Sequence, residues 1–177
     1  MKQFITICFF VVVYNSNAQK YKSDQGVISF FSEAAIEDIS AVNSSCSGLI
    51  DLGSKQVAFR VTIADFKFAK SLMQQHFNEK YMESDKFPVA TFAGTISNWD
   101  TSGSKEQDVI TKGVLTIHGQ SNDITIQGLI VDQGDSLIVQ STFVVELVDY
   151  KIKIPKLLWQ NIAEKVEVKV DFTFEKK

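Results

Sequence analysis

The chain has 177 residues, 45% hydrophobic and 22% charged, with 18 Lys and Arg against 21 Asp and Glu for a net charge of −3. That is the composition of one folded domain rather than a disordered chain. A mildly acidic balance argues against nucleic-acid binding, which needs clustered cations to neutralise phosphates. Two Cys exclude a disulfide-framed scaffold and a four-thiolate zinc site.

In chain order, residues 1–18 (MKQFITICFFVVVYNSNA) read as a secretory signal peptide. Lys2 supplies the positive start and Phe4 to Val13 the apolar run. Ser16 and Ala18 are the small residues before a cleavage site, so cleavage is predicted after Ala18 and the product is periplasmic or secreted. The run is shorter than the roughly 20 apolar residues that cross a bilayer. Cleavage removes Cys8 and leaves Cys46, which no His or cation neighbours in sequence; it reads as a buried, inert thiol.

Period-2 alternation then recurs along the chain and predicts strands at 19–31, with Gly26 as a candidate break, and at 40–51, 56–63, 89–97, 108–118, 122–132, 136–148 and 165–175. The last is the clearest: Val166, Val168, Val170, Phe172 and Phe174 alternate with Glu167, Lys169, Asp171, Thr173 and Glu175. One dry and one wet face mark an antiparallel sheet. Leu52–Lys55, Gly119–Asn122 and Asp132–Asp135 read as hairpin connections, and Asn98–Asp108 as a longer loop. One segment breaks the pattern. Ser71–Glu83 carries Met73, Phe77 and Tyr81 on one helical stripe beside Leu72, with Ser71 and Gln74 spaced as a capping box. A second short piece, helical or irregular, is predicted near Asp149–Asn161. No linker or repeat divides 19–177, so it is one all-β domain, a sandwich or an up-and-down barrel.

Catalytic signatures are missing from the sequence. There is no nucleophile elbow, P-loop, dinucleotide fingerprint or zincin motif. His76 with Glu79 offers at most two metal ligands on one helix face, and an enzyme using His76, His118 or Asp149 ranks last among the readings. No catalytic residue, metal ligand or cofactor is assigned. Lys151, Lys153 and Lys156, interleaved with Ile152, Ile154, Leu157, Leu158 and Trp159, support at most peripheral membrane contact. Asn43-Ser44-Ser45 matches a glycosylation sequon. Alternation cannot distinguish a hollow barrel from one filled by its own side chains, since both need apolar inward faces.

Phe66-Lys67-Phe68, the run Ser71-Leu72-Met73-Gln74-Gln75-His76-Phe77-Asn78-Glu79-Lys80-Tyr81-Met82-Glu83-Ser84-Asp85-Lys86-Phe87-Pro88, and Ala90-Thr91-Phe92-Ala93-Gly94 resemble the signature region of the YceI-like family. Gly113-Val114-Leu115-Thr116-Ile117-His118-Gly119 resembles that family's next recurring strand, although Gln120-Ser121-Asn122-Asp123 departs from its usual turn. The resemblance implies an eight-stranded antiparallel, lipocalin-like barrel in an exported protein, and a channel for a polyisoprenoid or quinone-like ligand. It carries no catalytic residues. On the inward faces the expected ligand-binding residues are Phe59, Val61, Phe92, Leu115, Ile117, Phe143, Val145, Val168 and Phe172, with Met73, Phe77 and Tyr81 of the helix closing one side. The competing expectation is a non-catalytic structural or interaction barrel with a filled core and no ligand; on either reading the protein is expected as a monomer or homodimer.

Overall fold

The computed structural model describes residues 19–33, 38–154 and 164–177. The predicted signal peptide, and most of the predicted second helix with Lys156, Leu157, Leu158 and Trp159, lie outside the described residues.

Eight long strands form one antiparallel sheet closed on itself. They are β1 (Lys20–Ser32), β2 (Ile39–Asp51), β3 (Gln56–Thr62), β5 (Val89–Ile96), β6 (Glu106–Ile117), β7 (Gln120–Asp132), β8 (Ser136–Glu146) and β9 (Lys165–Lys176); β4 (Lys67–Phe68) is a two-residue addition beside β2. The order is β1-β9-β8-β7-β6-β5-β3-β2, and pairing of β2 with β1 closes the ring. Closure gives every long strand a paired neighbour on each side. The barrel thus has two unlike ends. One is made by the connections 52–55, 97–105 and 133–135, and is called the turn end; the other carries a helix and is called the helix end.

Strand boundaries follow the alternation closely, and the inward faces of β9 and β3 are those read from sequence. Three local differences have physical causes. At Gly26 β1 does not break but bulges, its register with β2 shifting between Ser23 and Ile28. The β6–β7 connection is shorter than predicted, because His118 (φ 50°) and Gly119 (φ 71°) both take left-handed conformations and form a two-residue hairpin turn, leaving Gln120 to Asn122 in β7. The capping box does not form. Lys70 is the N-cap, Ser71 is already helical, and the Gln74 side chain accepts the Phe68 N–H instead, at 3.4 Å.

The helix α1 spans Ser71–His76 and continues as a π-helical turn over Phe77–Tyr81, where Met82 N–H donates to Phe77 O at 2.8 Å. The helical expectation to Glu83 therefore runs two residues long. Glu83 itself is left-handed (φ 44°). After β8, Leu147–Tyr150 makes a single 3-10 turn that ends on a left-handed Lys151 (φ 53°).

The candidate glycosylation site is sealed into the wall. Asn43 is 0% exposed; its Nδ2 donates to Thr62 O at 2.9 Å and its Oδ1 accepts from Ser45 N–H at 2.9 Å. An oligosaccharyltransferase acts on an exposed loop asparagine, so the folded barrel does not offer this one. Cys46 is also 0% exposed, beside Asn43 O at 3.6 Å, and burial pushes its thiol up to about 11.

Candidate functional site: an apolar cavity inside the barrel

Inward side chains fill the barrel unevenly. Toward the turn end they meet and exclude space. Phe172 and Phe174 are both fully buried and stacked at 5.5 Å, and Phe59 packs edge-on to both, at 4.9 and 5.9 Å. The rings lie over the neighbouring wall because the adjacent strand β1 and the next strand β2 carry glycine there. A Cβ on Gly26 would stand 2.1 Å from the Phe172 ring, and one on Gly48 2.8 Å from Phe174. Leu137, Ile50, Trp99 and Tyr21 complete this floor, and Tyr21 Oη donates to Gly134 O at 3.0 Å.

Above the floor the inward side chains leave a cavity of about 320 Å3. Its wall is almost wholly apolar. Ile28 of β1, Phe92 of β5, Leu115 of β6, Ile126 of β7, Phe143 of β8 and Val168 of β9 all contribute. At the helix end Phe77 brings α1 onto the barrel, with its ring 5.5 Å from Phe30, 5.7 Å from Phe66 and 5.0 Å from Phe68. Met73, Tyr81 and Met82 line the same end. Burial raises the Tyr81 phenol above its ordinary value, so it stays neutral and acts as an apolar wall with a polar tip.

Of the residues expected from sequence to bind a ligand, Phe59, Val61, Met73, Phe77, Tyr81, Phe92, Leu115, Ile117, Phe143, Val145 and Val168 all line this cavity. Phe172 does not. It belongs to the floor, because the glycine bulge in β1 lets its ring fold down against the wall rather than stand in the lumen. Sequence reasoning passed over Ile28, Phe30, Phe66 and Met82. The first two sit on the strand whose bulge obscures its period, and the last two flank the helix rather than belong to its stripe. Ser32 borders the cavity as well, and its buried Oγ has no hydrogen-bond partner among the described residues.

The groups considered for chemistry are dispersed into structural roles. His118 Nε2 meets Glu83 Oε2 at 3.0 Å and its Nδ1 meets Tyr150 O at 3.1 Å, with the Phe87 ring edge-on at 4.5 Å. Both partners are acceptors, so the ring ties the β6–β7 hairpin to the helix exit and to the 3-10 turn. His76 borders the cavity from α1, while the Glu79 carboxylate accepts from Gln75 at 3.1 Å. Asp149 accepts from Asn122 through its backbone carbonyl, at 2.9 Å. Among the described residues no group of three or more His, Cys, Asp or Glu side chains could hold a metal ion, and no helix is long and apolar enough to cross a membrane.

A closed antiparallel barrel of eight strands with one covering helix and an apolar lumen is the lipocalin-like class of architecture. Within that class the chain belongs to the YceI-like family, whose domain model matches residues 19–174. No curated protein matches it significantly. Among solved structures it is similar to a polyisoprenoid binding domain from Saccharophagus degradans, at 15% identity and TM-score 0.75, covering 90% of this chain and 99% of that one. It is also similar to BcnA of Burkholderia cenocepacia, at 15% identity and TM-score 0.71 over 84% and 95% of the two chains. A third likeness is the YCEI protein of Campylobacter jejuni, at 18% identity and TM-score 0.51 over 98% of each chain.

Proposed function

We propose that this protein is an exported, non-catalytic carrier that holds one long apolar chain, of polyisoprenoid or quinone-like type, inside the barrel. The observation that carries the reading is the cavity itself: about 320 Å3, walled by aliphatic and aromatic side chains from β-strands and helix alike. A space of that size falls in the range of small-molecule sites, and left without a ligand it forfeits the packing contacts a core normally makes. Each CH2 taken from water contributes about 0.8 kcal/mol, so ten such groups gain on the order of 8 kcal/mol before the cost of ordering the chain. No ionic anchor is required. The tail would rest on the Phe172 floor and an oxygen-bearing end toward Ser32 Oγ, a hydroxyl beside the cavity with no partner among the described residues. The neighbour from Saccharophagus degradans, described as polyisoprenoid binding, supports the ligand class by analogy. Export is supported by the signal-peptide layout of 1–18, since β1 begins at Lys20, just past the predicted cleavage site.

Native mass spectrometry tests the reading. Protein prepared gently from its own host is expected to carry a hydrophobic adduct at one per chain, and delipidated protein to take up added quinone or prenol at the same stoichiometry. Val139→Phe, which places a ring in the lumen, is expected to fold and to lose that uptake. A clean apo mass together with no uptake of either lipid contradicts it.

A further inference from the structure

Most neighbouring strands are laddered along their shared length. β6 and β7 pair from Glu106↔Val131 to the turn at Ile117↔Gln120, and β8 and β9 from Ser136↔Glu175 to Glu146↔Lys165. The seam between β7 and β8 is different. It pairs from Asp132↔Leu137 only as far as Gly128↔Ser141, although both strands continue toward the helix end. The β2–β3 seam also stops short, at Ser47↔Arg60, but there β4 lies against β2 and Asn43 bridges to Thr62 O. Among the described residues no strand is added over the upper β7–β8 seam.

The two ends of this opening are finished by side chains. At its foot Ser141 Oγ donates to Gln127 O at 2.6 Å, which supplies the hydrogen bond the ladder no longer makes. At its head Asn122 Nδ2 donates to Asp149 O at 2.9 Å and His118 Nδ1 meets Tyr150 O at 3.1 Å, which ties the 3-10 turn after β8 back onto β7. Gly128, Gln140 and Ser141, with Val109 of β6 and Val170 of β9, border both the inner cavity and a groove on the outer surface, so the wall at the foot is one strand layer thick. On the outer rim Val144 is 58% and Val148 71% exposed, the latter the most exposed large apolar residue described.

Among the described residues, aromatic clusters stand on both axial routes. Phe59, Phe172 and Phe174 close the turn end, and at the helix end Phe30, Phe66 and Phe77 pack ring to ring. End-on passage has to displace a stacked aromatic cluster and α1. Sideways passage needs only the separation of a strand pair that shares no ladder bond above Gly128. We propose that the unladdered stretch of the β7–β8 seam is a lateral portal, through which a chain-shaped apolar ligand enters and leaves the cavity broadside. The proposal rests on the reading that the cavity holds such a chain.

A crosslink across the seam tests it. Continuing the register from Gly128↔Ser141 sets Thr125 opposite Val144, both exposed and facing outward. Thr125→Cys/Val144→Cys is joined by a bismaleimide that spans the unladdered seam, while buried Cys46 stays out of reach. Decylubiquinone uptake and release are followed by stopped-flow quenching of tryptophan fluorescence. The crosslinked protein is expected to bind with Kd within about threefold of wild type, while association and dissociation both slow by about tenfold or more. Asn122→Ala, which cuts the tie at the head, is expected to speed both. Wild-type rates in the crosslinked protein, or Asn122→Ala leaving both rates unchanged, overturn the portal while leaving the cavity reading intact. Failure of the wild-type protein itself to bind the quinone overturns both.

Discussion

Replacing Phe172 and Phe143 by alanine, one at a time, separates the filled half of the barrel from the hollow half. Phe172 is fully buried with ring neighbours at 4.9 and 5.5 Å and glycine backbone beneath it. Phe172→Ala therefore loses the transfer energy of a whole ring and opens a void among fixed neighbours, at a cost of about 3–5 kcal/mol. Phe143 is half-buried and faces the existing cavity. With some of its ring already unpacked, Phe143→Ala forfeits roughly half the burial energy of a phenylalanine, about 1 kcal/mol, and only enlarges a space that is already there. Urea unfolding of the delipidated protein is the assay. With a slope of about 1–3 kcal/mol per molar, the Phe172 variant should lower the midpoint by more than about 1 M and the Phe143 variant by well under that, at unchanged slope. Ligand affinity should respond in the opposite order, with Phe143→Ala the more harmful. Equal and large losses of stability in both variants would refute the division, since they would mean that the upper barrel is packed as tightly as the floor.

Other consequences follow from the same geometry. Gly26→Ala should destabilise by about 1–3 kcal/mol through overlap with the Phe172 ring, and in the Phe172→Ala background most of that loss should disappear, which a double-mutant cycle reads directly. Asn43→Ala should cost about 2–3 kcal/mol in chemical unfolding, because Thr62 O and Ser45 N–H both lose their partner inside the wall. Cys46 should resist thiol reagents in the native protein at pH 8 and react once unfolded. Because its folded value stands near 11 against 9.0 for the ordinary thiol, the folded state holds the proton that the unfolded state gives up. Stability should therefore fall by up to about 2–3 kcal/mol as pH rises from 9 to 11, and Cys46→Ala should reduce that slope. The buried phenols of Tyr21, Tyr81 and Tyr150 are shifted in the same direction and leave a residual slope of the same sign.

Much of the barrel was legible in the chain because alternation is a direct consequence of strand geometry. Val166 to Phe174 point inward by period alone, and one wet face already demands an antiparallel sheet. Period could not say which inward residues meet across the axis. Val168 and Phe172 occupy equivalent positions on β9, yet one lines the cavity and the other floors it. The deciding feature lies on a different strand, in the bulge at Gly26, and pairing partners are not written in a single strand's pattern. The helix was legible from its Met73–Phe77–Tyr81 stripe but its start was not. The Gln74 side chain was spent on the backbone of β4, a tertiary contact that overrides the local capping signal. The β7–β8 seam left no sequence trace either, since both strands alternate normally through the stretch where they diverge.

The proposed function requires the upper barrel to be an apolar space that a ligand occupies. A crystal structure of the protein loaded with a long-chain prenol addresses it most directly. Continuous density rising from the Phe172 ring past Phe143 and Val168 toward Phe77, with the surrounding rotamers unchanged, is the predicted result. Density confined to the outer surface, or a lumen collapsed so that Phe143, Leu115 and Val168 touch across the axis, would contradict it.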